Sequence, residues 1–251
     1  MYGVCLLVGL FLATVLGERL CKNNHLDTQS YWQMVFYALV FGLAGARLYH
    51  VVHRSDYFSR HPLEILAVWQ GGLGIWGGIL GGLLGTVLVA RTLRAVYGNL
   101  AEYLDVFAVV APLAQAVSRW GNFFNAELFG YPTSLPWGIY IAQEVRPLAF
   151  RYYEYFHPLV LYESLACFAL FGLLYKGYSR RRVMGLKLRP GSILVLYLMG
   201  YALIRFLLEF ARPDPWRLGG LPVASIVSAA VFCCLLFYVG YAYLSSSHGS
   251  P

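Results

Sequence analysis

Two short stretches carry side chains that apolar sequence around them does not call for. RWGNFFNAELFG (119–130) sets Arg119, Asn122, Asn125 and Glu127 within nine positions, and YALIRFLLEFAR (201–212) sets Arg205, Glu209 and Arg212 at i, i+4 and i+7. The second spacing puts all three on one helical face, and Arg119, Asn122 and Asn125 fall one turn apart on a second helix. Arg47 and His50 repeat the pattern on a third. Guanidinium groups present planar forks of N–H donors that match phosphate oxygens and stay charged, so several converging arginines read as an anion site. Glu127 and Glu209 would hold those forks in place or move a proton; the residues alone leave both roles open. His50 and His53 are spaced as a metal pair would be, but no third ligand converges, and no metal or other cofactor is expected. His50 reads first as a hydrogen-bonded structural histidine and second as a base.

The elements that must position these groups are membrane helices. The chain has 251 residues, of which 59% are hydrophobic and 12% charged. A water-soluble domain of this size has no way to hide that much apolar surface. Apolar runs mark seven spans, near 3–17, 31–52, 63–90, 102–120, 158–175, 192–210 and 221–243. They are too long and too evenly apolar for barrel strands, so the expected fold is an all-α integral membrane protein of seven transmembrane helices. The first run is short, which raises a signal peptide or residues upstream of Met1 as alternatives. The absence of a basic leader and of a small-residue cleavage site favours a span. The five cysteines have no metal-ligand spacing and read as small packing residues.

Loops after the odd spans carry ten Lys and Arg and those after the even spans six, with Lys176, Arg180, Arg181, Arg182, Lys187 and Arg189 supplying most of the difference. The positive-inside rule then puts the N-terminus outside and the C-terminus in the cytoplasm. Residues 121–157 become an outer-face cap between spans four and five, with extended residues after the prolines of YPTSLPWGIYI. The whole chain, 1–251, reads as one membrane-embedded catalytic domain. The net charge of +7 sits in short loops, so anionic membrane lipid is the expected neighbour and nucleic acid is not. Arg47, Arg119 and Arg205 are the cations left inside or at the end of spans, where each costs about 2.5–3.5 kcal/mol unless it faces a bundle interior or a wet cavity.

GGLGIWGGILGGLLG (71–85) holds eight glycines in fifteen positions. One reading is close helix packing through Gly74, Gly78 and Gly82; the other is an unwound segment whose exposed N–H groups line a cavity.

Taken together, these motifs resemble one family, the bacterial prolipoprotein diacylglyceryl transferases. The resemblance runs from YG (2–3) through GARLYHVV (45–52), GGLGIWGG (71–78), RWGNFFNAELFG and HPLVLYE (157–163) to RFLLEFAR (205–212). It implies a seven-helix enzyme of the bacterial inner (plasma) membrane with its N-terminus outside. The implied reaction moves the diacylglyceryl group of phosphatidylglycerol onto the lipobox cysteine thiol of a prolipoprotein signal peptide, forming a thioether and releasing glycerol phosphate. The positions it implicates are Tyr2, Arg119, Asn122, Asn125, Glu127, Gly130, Arg205, Glu209 and Arg212, to which the sequence pattern adds Arg47 as a phosphatidylglycerol contact. Arg119 and Arg205 would take the phosphate, Asn122 the lipid headgroup, and Glu127 and Glu209 would orient the arginines. Gly130 reads as a backbone requirement near the cavity rim.

One departure stands out. Many members carry a histidine, regarded as the base for the thiol, where this chain has Trp76; Glu127 or Glu209 is then the expected proton acceptor. A lipid or small-anion transporter is the rival reading, weakened by the lack of an internal repeat.

Overall fold

A computed structural model of the chain describes residues 1–93, 96, 99–183, 186–213 and 215–247. Among them, seven helices are long and apolar enough to cross a membrane: α1 (Tyr2–Asn23), α2 (Thr28–His53), α3 (Ile75–Thr92), α4 (Leu100–Phe124), α5 (Leu159–Arg180), α6 (Ser192–Glu209) and α7 (Val223–Ser247). Leu7, Phe36, Leu80, Leu165 and Phe237 lie exposed on them. Such surface is unfavourable in water at roughly 25 cal/mol per Å² but has no such cost in hydrocarbon, which fits a multi-pass membrane protein. Residue contacts group the chain into two compact units, Met1–Gly17 with Leu104–Pro251, and Glu18–Tyr103.

In the Glu18–Tyr103 unit, α2 starts at a side-chain cap: Asp27 accepts hydrogen bonds from the N–H groups of Gln29 and Ser30. The Tyr103 hydroxyl donates to the Asp27 carbonyl at 3.0 Å, tying the cap to the first turn of α4. Helices α2 and α3 lie backbone to backbone. A Cβ at Gly77, Gly81 or Gly85 would collide with the carbonyls of Gly45, Phe41 and Tyr37. The tight seam is therefore not the Gly74, Gly78, Gly82 face expected from spacing. Gly78 and Gly82 have room for a methyl group, and Gly74 makes way for the Tyr49 ring.

The third span also begins later than its hydropathy indicates. Residues 62–66 and 68–70 form single 3-10 turns, Gly71 and Gly72 take φ of +84° and +70°, and α3 starts only at Ile75. The physical reason is Arg47. Its guanidinium donates to the carbonyls of Glu64, Ile65, Gly71 and Gly72, so a side chain satisfies backbone acceptors that a helix would otherwise satisfy. The glycine segment is thus unwound at its start and close-packed along α3, through Gly77, Gly81 and Gly85 rather than through the face its spacing indicates.

In the larger unit the buried centre is built on α4, with Val106, Val109 and Ala116 fully enclosed. Asp105 of α4 caps a different helix: its carboxylate accepts from the N–H groups of Gly191 and Leu194 at 2.8 and 2.9 Å, at the start of α6. Helix α1 meets α4 through two glycines, Gly9 against the Ala114 carbonyl and Gly121 against Tyr2. Between α4 and α5, β1 (Ile139–Tyr140) pairs antiparallel with β2 (Tyr155–Phe156), with Ile139 opposite Phe156. The extended residues expected in this segment are present, as two residues per strand, and Ile141 and Phe156 are buried.

Candidate functional site

Helix α4 carries Arg119 and Asn122 on one face and ends at Phe124. The chain then reverses through Ala126 and Leu128, both at left-handed φ (+52° and +57°) without being glycine. Asn125 therefore lies in the turn and does not extend the helical stripe, as its spacing had indicated. The reversal brings Glu127 back over the helix end. Its N–H donates to the Asn122 carbonyl at 2.9 Å, and its carboxylate accepts from Asn122 Nδ2 at 2.8 Å and from Asn125 Nδ2 at 3.3 Å. Glu127 thus holds the two asparagines, and among the described residues its hydrogen bonds go to Asn122 and Asn125 and not to an arginine.

The carboxylate that does hold Arg119 is Glu163, on the second turn of α5. Arg119 Nη2 donates to Glu163 Oε1 at 2.8 Å, while Arg205 Nη1, from α6, approaches Glu163 Oε2 at 3.6 Å. Two guanidinium groups from separate helices thus share the two oxygens of one buried carboxylate. Tyr201, one turn before Arg205, donates to the same Oε1 at 3.4 Å. Arg205 Nη2 then donates to Glu209 Oε2 at 2.8 Å, and Arg212 stands 3.5 Å from that oxygen. With Arg119 Nη1 on Asn122 Oδ1 at 3.3 Å, the contacts run without a break from Glu127 through Asn122, Arg119, Glu163, Arg205 and Glu209 to Arg212.

Glu163 and Glu209 are almost fully buried, whereas the arginine side chains keep about a fifth to a third of their surface open. Removing one partner of such a buried pair leaves a charge uncompensated, at a cost of about 3–5 kcal/mol. Three cations share Glu163 and Glu209, so this part of the cluster carries one positive charge in excess. Arg119 Nε is buried with no acceptor, a donor left unspent. An anion with several oxygens is the ligand this arrangement suits.

Tyr2 opens α1, with its backbone and ring against Gly121, the residue that precedes Asn122 in the last turns of α4. Gly130 donates its N–H to the His157 carbonyl at 2.8 Å, and a Cβ there would press on His157 and on the Ala211 carbonyl. Its lack of a side chain lets three segments meet. Arg47 belongs to the other unit. Its Nε, Nη1 and Nη2 are already committed to carbonyls, so it anchors the loop before α3 and has little left to offer a phosphate. Trp76 is exposed in the first turn of α3.

Sequence reasoning passed over Glu163 and Tyr201. The signal for Glu163 was available, since a carboxylate inside an apolar span invites the same question as an arginine there. Tyr201 gave none, because tyrosine is common in apolar helices.

A family model described as prolipoprotein diacylglyceryl transferase matches residues 1–241. Among individual relatives, a protein of Thermotoga maritima is 35% identical over 246 residues, covering 98% of this chain and 81% of its own length. One of Fervidobacterium nodosum is 37% identical, covering 99% and 82%, and one of Synechococcus elongatus 38% identical, covering 90% and 78%. All three are named phosphatidylglycerol–prolipoprotein diacylglyceryl transferase.

Proposed function

The chain belongs to the prolipoprotein diacylglyceryl transferase family, and on that premise we propose how its residues move the diacylglyceryl group of phosphatidylglycerol onto a prolipoprotein, the first step of lipoprotein maturation. The acceptor is the lipobox cysteine of the signal peptide. Its sulfur attacks the glycerol carbon of the diacylglyceryl group and a C–S bond forms. The C–O bond to phosphate breaks, its electron pair stays on that oxygen, and glycerol phosphate leaves with one more negative charge than the diester had. Arg119 and Arg205 hold the phosphate oxygens and tighten on them as that charge develops; each such donor is worth about 2–4 kcal/mol in the transition state by analogy with oxyanion donors. Asn122, Asn125 and Gly130 shape the headgroup end, Tyr2 donates from α1, and Arg212 receives the departing charge.

The cysteine proton needs an acceptor other than the family histidine. Glu209 is committed to two guanidinium groups, and taking a proton would loosen both. Glu127 is held by two neutral carboxamides and would surrender only weaker hydrogen bonds. Glu127 is therefore our choice of base. In the cell the protein lies in the bacterial inner membrane with its N-terminus and the 121–157 cap on the outer face, where signal peptides arrive.

The observation that carries this reading is the sharing of Glu163 by Arg119 and Arg205. Reconstituted protein given labelled phosphatidylglycerol and a lipobox peptide should yield a thioether-linked diacylglyceryl peptide and glycerol phosphate in equal amounts. Lipid movement across the bilayer without either product would overturn it in favour of transport.

A further inference from the structure

Beyond Arg212, the larger unit contains a cavity of about 300 Å³ between the end of α6 and the segment that links α4 to α5. That volume is at the lower end of the roughly 300–1,000 Å³ typical of small-molecule sites. Its lining includes Arg212, Arg146, Glu144, Val145 and Leu128. Arg146 is fixed from behind: its Nε donates to the Ile141 carbonyl at 2.7 Å, its Nη1 to the Arg151 carbonyl at 3.1 Å, and its guanidinium lies over the Tyr140 ring at 5.5 Å. These partners are neutral, so its charge is not cancelled by them. Among the described residues Arg212 has one carboxylate beside it, Glu209 at 3.5 Å, whereas Arg205 has both Glu163 and Glu209. Compensation of positive charge thus weakens along α6, from the buried cluster towards the cavity.

We propose that this cavity is a binding site for the water-soluble phosphomonoester product, glycerol phosphate, which passes from Arg205 to Arg212 and Arg146 before release. The inference rests on the reaction proposed above. The substrate diester carries one negative charge, whereas a phosphomonoester carries about 1.5 to 2 near pH 7. A second, less compensated pair of arginines therefore favours product over substrate and draws it off the reacting centre. Glu144, the carboxylate among the described lining residues, limits the affinity so that product can leave.

The test is product inhibition of the reconstituted enzyme by added glycerol phosphate, alongside equilibrium dialysis of radiolabelled glycerol phosphate against the same protein. Arg146→Gln should weaken inhibition about two- to five-fold and Glu144→Gln should strengthen it by a similar factor, the scale of one exposed charge contact. Val145→Trp, which fills the cavity, should also weaken it. None should change the KM for phosphatidylglycerol. Opposite shifts from neighbouring substitutions are not what a misfolded loop produces. Unchanged inhibition in all three variants would overturn the proposal, as would a parallel change in the KM for the lipid, which would make the cavity a substrate headgroup site. Competition by inorganic phosphate as strong as by glycerol phosphate would also overturn it, by reducing the site to a general phosphate trap. Dialysis separates the two readings: glycerol phosphate that binds at this cavity in a protein without transfer activity refutes the reaction and not the site.

Discussion

Glu163 is the residue that Arg119 and Arg205, the two arginines proposed to hold the phosphate, share, although it need never touch the lipid. Replacing it with glutamine keeps its shape and removes the charge that Arg119 and Arg205 share. We expect Glu163→Gln to lower transfer by at least about 10²-fold, the scale of losing one preorganised donor. Arg205→Ala should abolish transfer while the protein still inserts and runs as a folded species in detergent. Near-normal turnover in the arginine variant would remove it from the phosphate set. Trp76→His asks a separate question, whether thiol activation limits this chain. If it does, the substitution raises the rate and moves the pH profile towards neutrality; if Glu127 already suffices, the pH–rate curve is unchanged.

At the scale of elements, the α2–α3 pair depends on a glycine seam whose register the spacing alone misplaced. Gly81→Ala pushes a methyl group into the Phe41 carbonyl, while Gly78→Ala meets Ala46 at an ordinary 3.6 Å. The first should destabilise by about 1–3 kcal/mol and the second by little, read as thermal unfolding in detergent. The α2 cap predicts a pH effect. The Ser30 hydroxyl and N–H, with a smaller contribution from the Gln29 N–H, hold the Asp27 carboxyl below its ordinary value. A lowered folded pKa means the cap's stabilisation is complete above the ordinary value of about 3.9 and is lost as pH falls through the lowered one. Asp27→Asn keeps an acceptor that does not titrate. The wild-type melting advantage over that variant should therefore shrink only at acidic pH.

For the whole molecule, the positive charge concentrated around the α5–α6 connection predicts an orientation that can be tested from outside the cell. A cysteine placed at Tyr152, almost fully exposed between β1 and β2, should react with a membrane-impermeant thiol reagent in intact cells. One placed at Arg189 should react only after the membrane is opened. The reverse pattern would invert the topology and put the arginine cluster at the wrong face for secreted substrates.

Seven spans, the helical class and the arginines that pair inside them were open to inspection in the chain itself. Hydropathy and the cost of a charge in hydrocarbon are local properties, summed over neighbours in sequence. The i, i+4, i+7 stripe of Arg205, Glu209 and Arg212 was equally available, because a helix fixes its own faces. Folding in three dimensions decided the rest. Which carboxylate would bridge Arg119 to Arg205 depended on α5 meeting both α4 and α6, and Glu163 is 44 residues from one partner and 42 from the other. Arg47 spends its donors on loop carbonyls 17 to 25 residues away, which its spacing from His50 did not announce. Pairing between distant groups follows from packing geometry, and no window of sequence contains that.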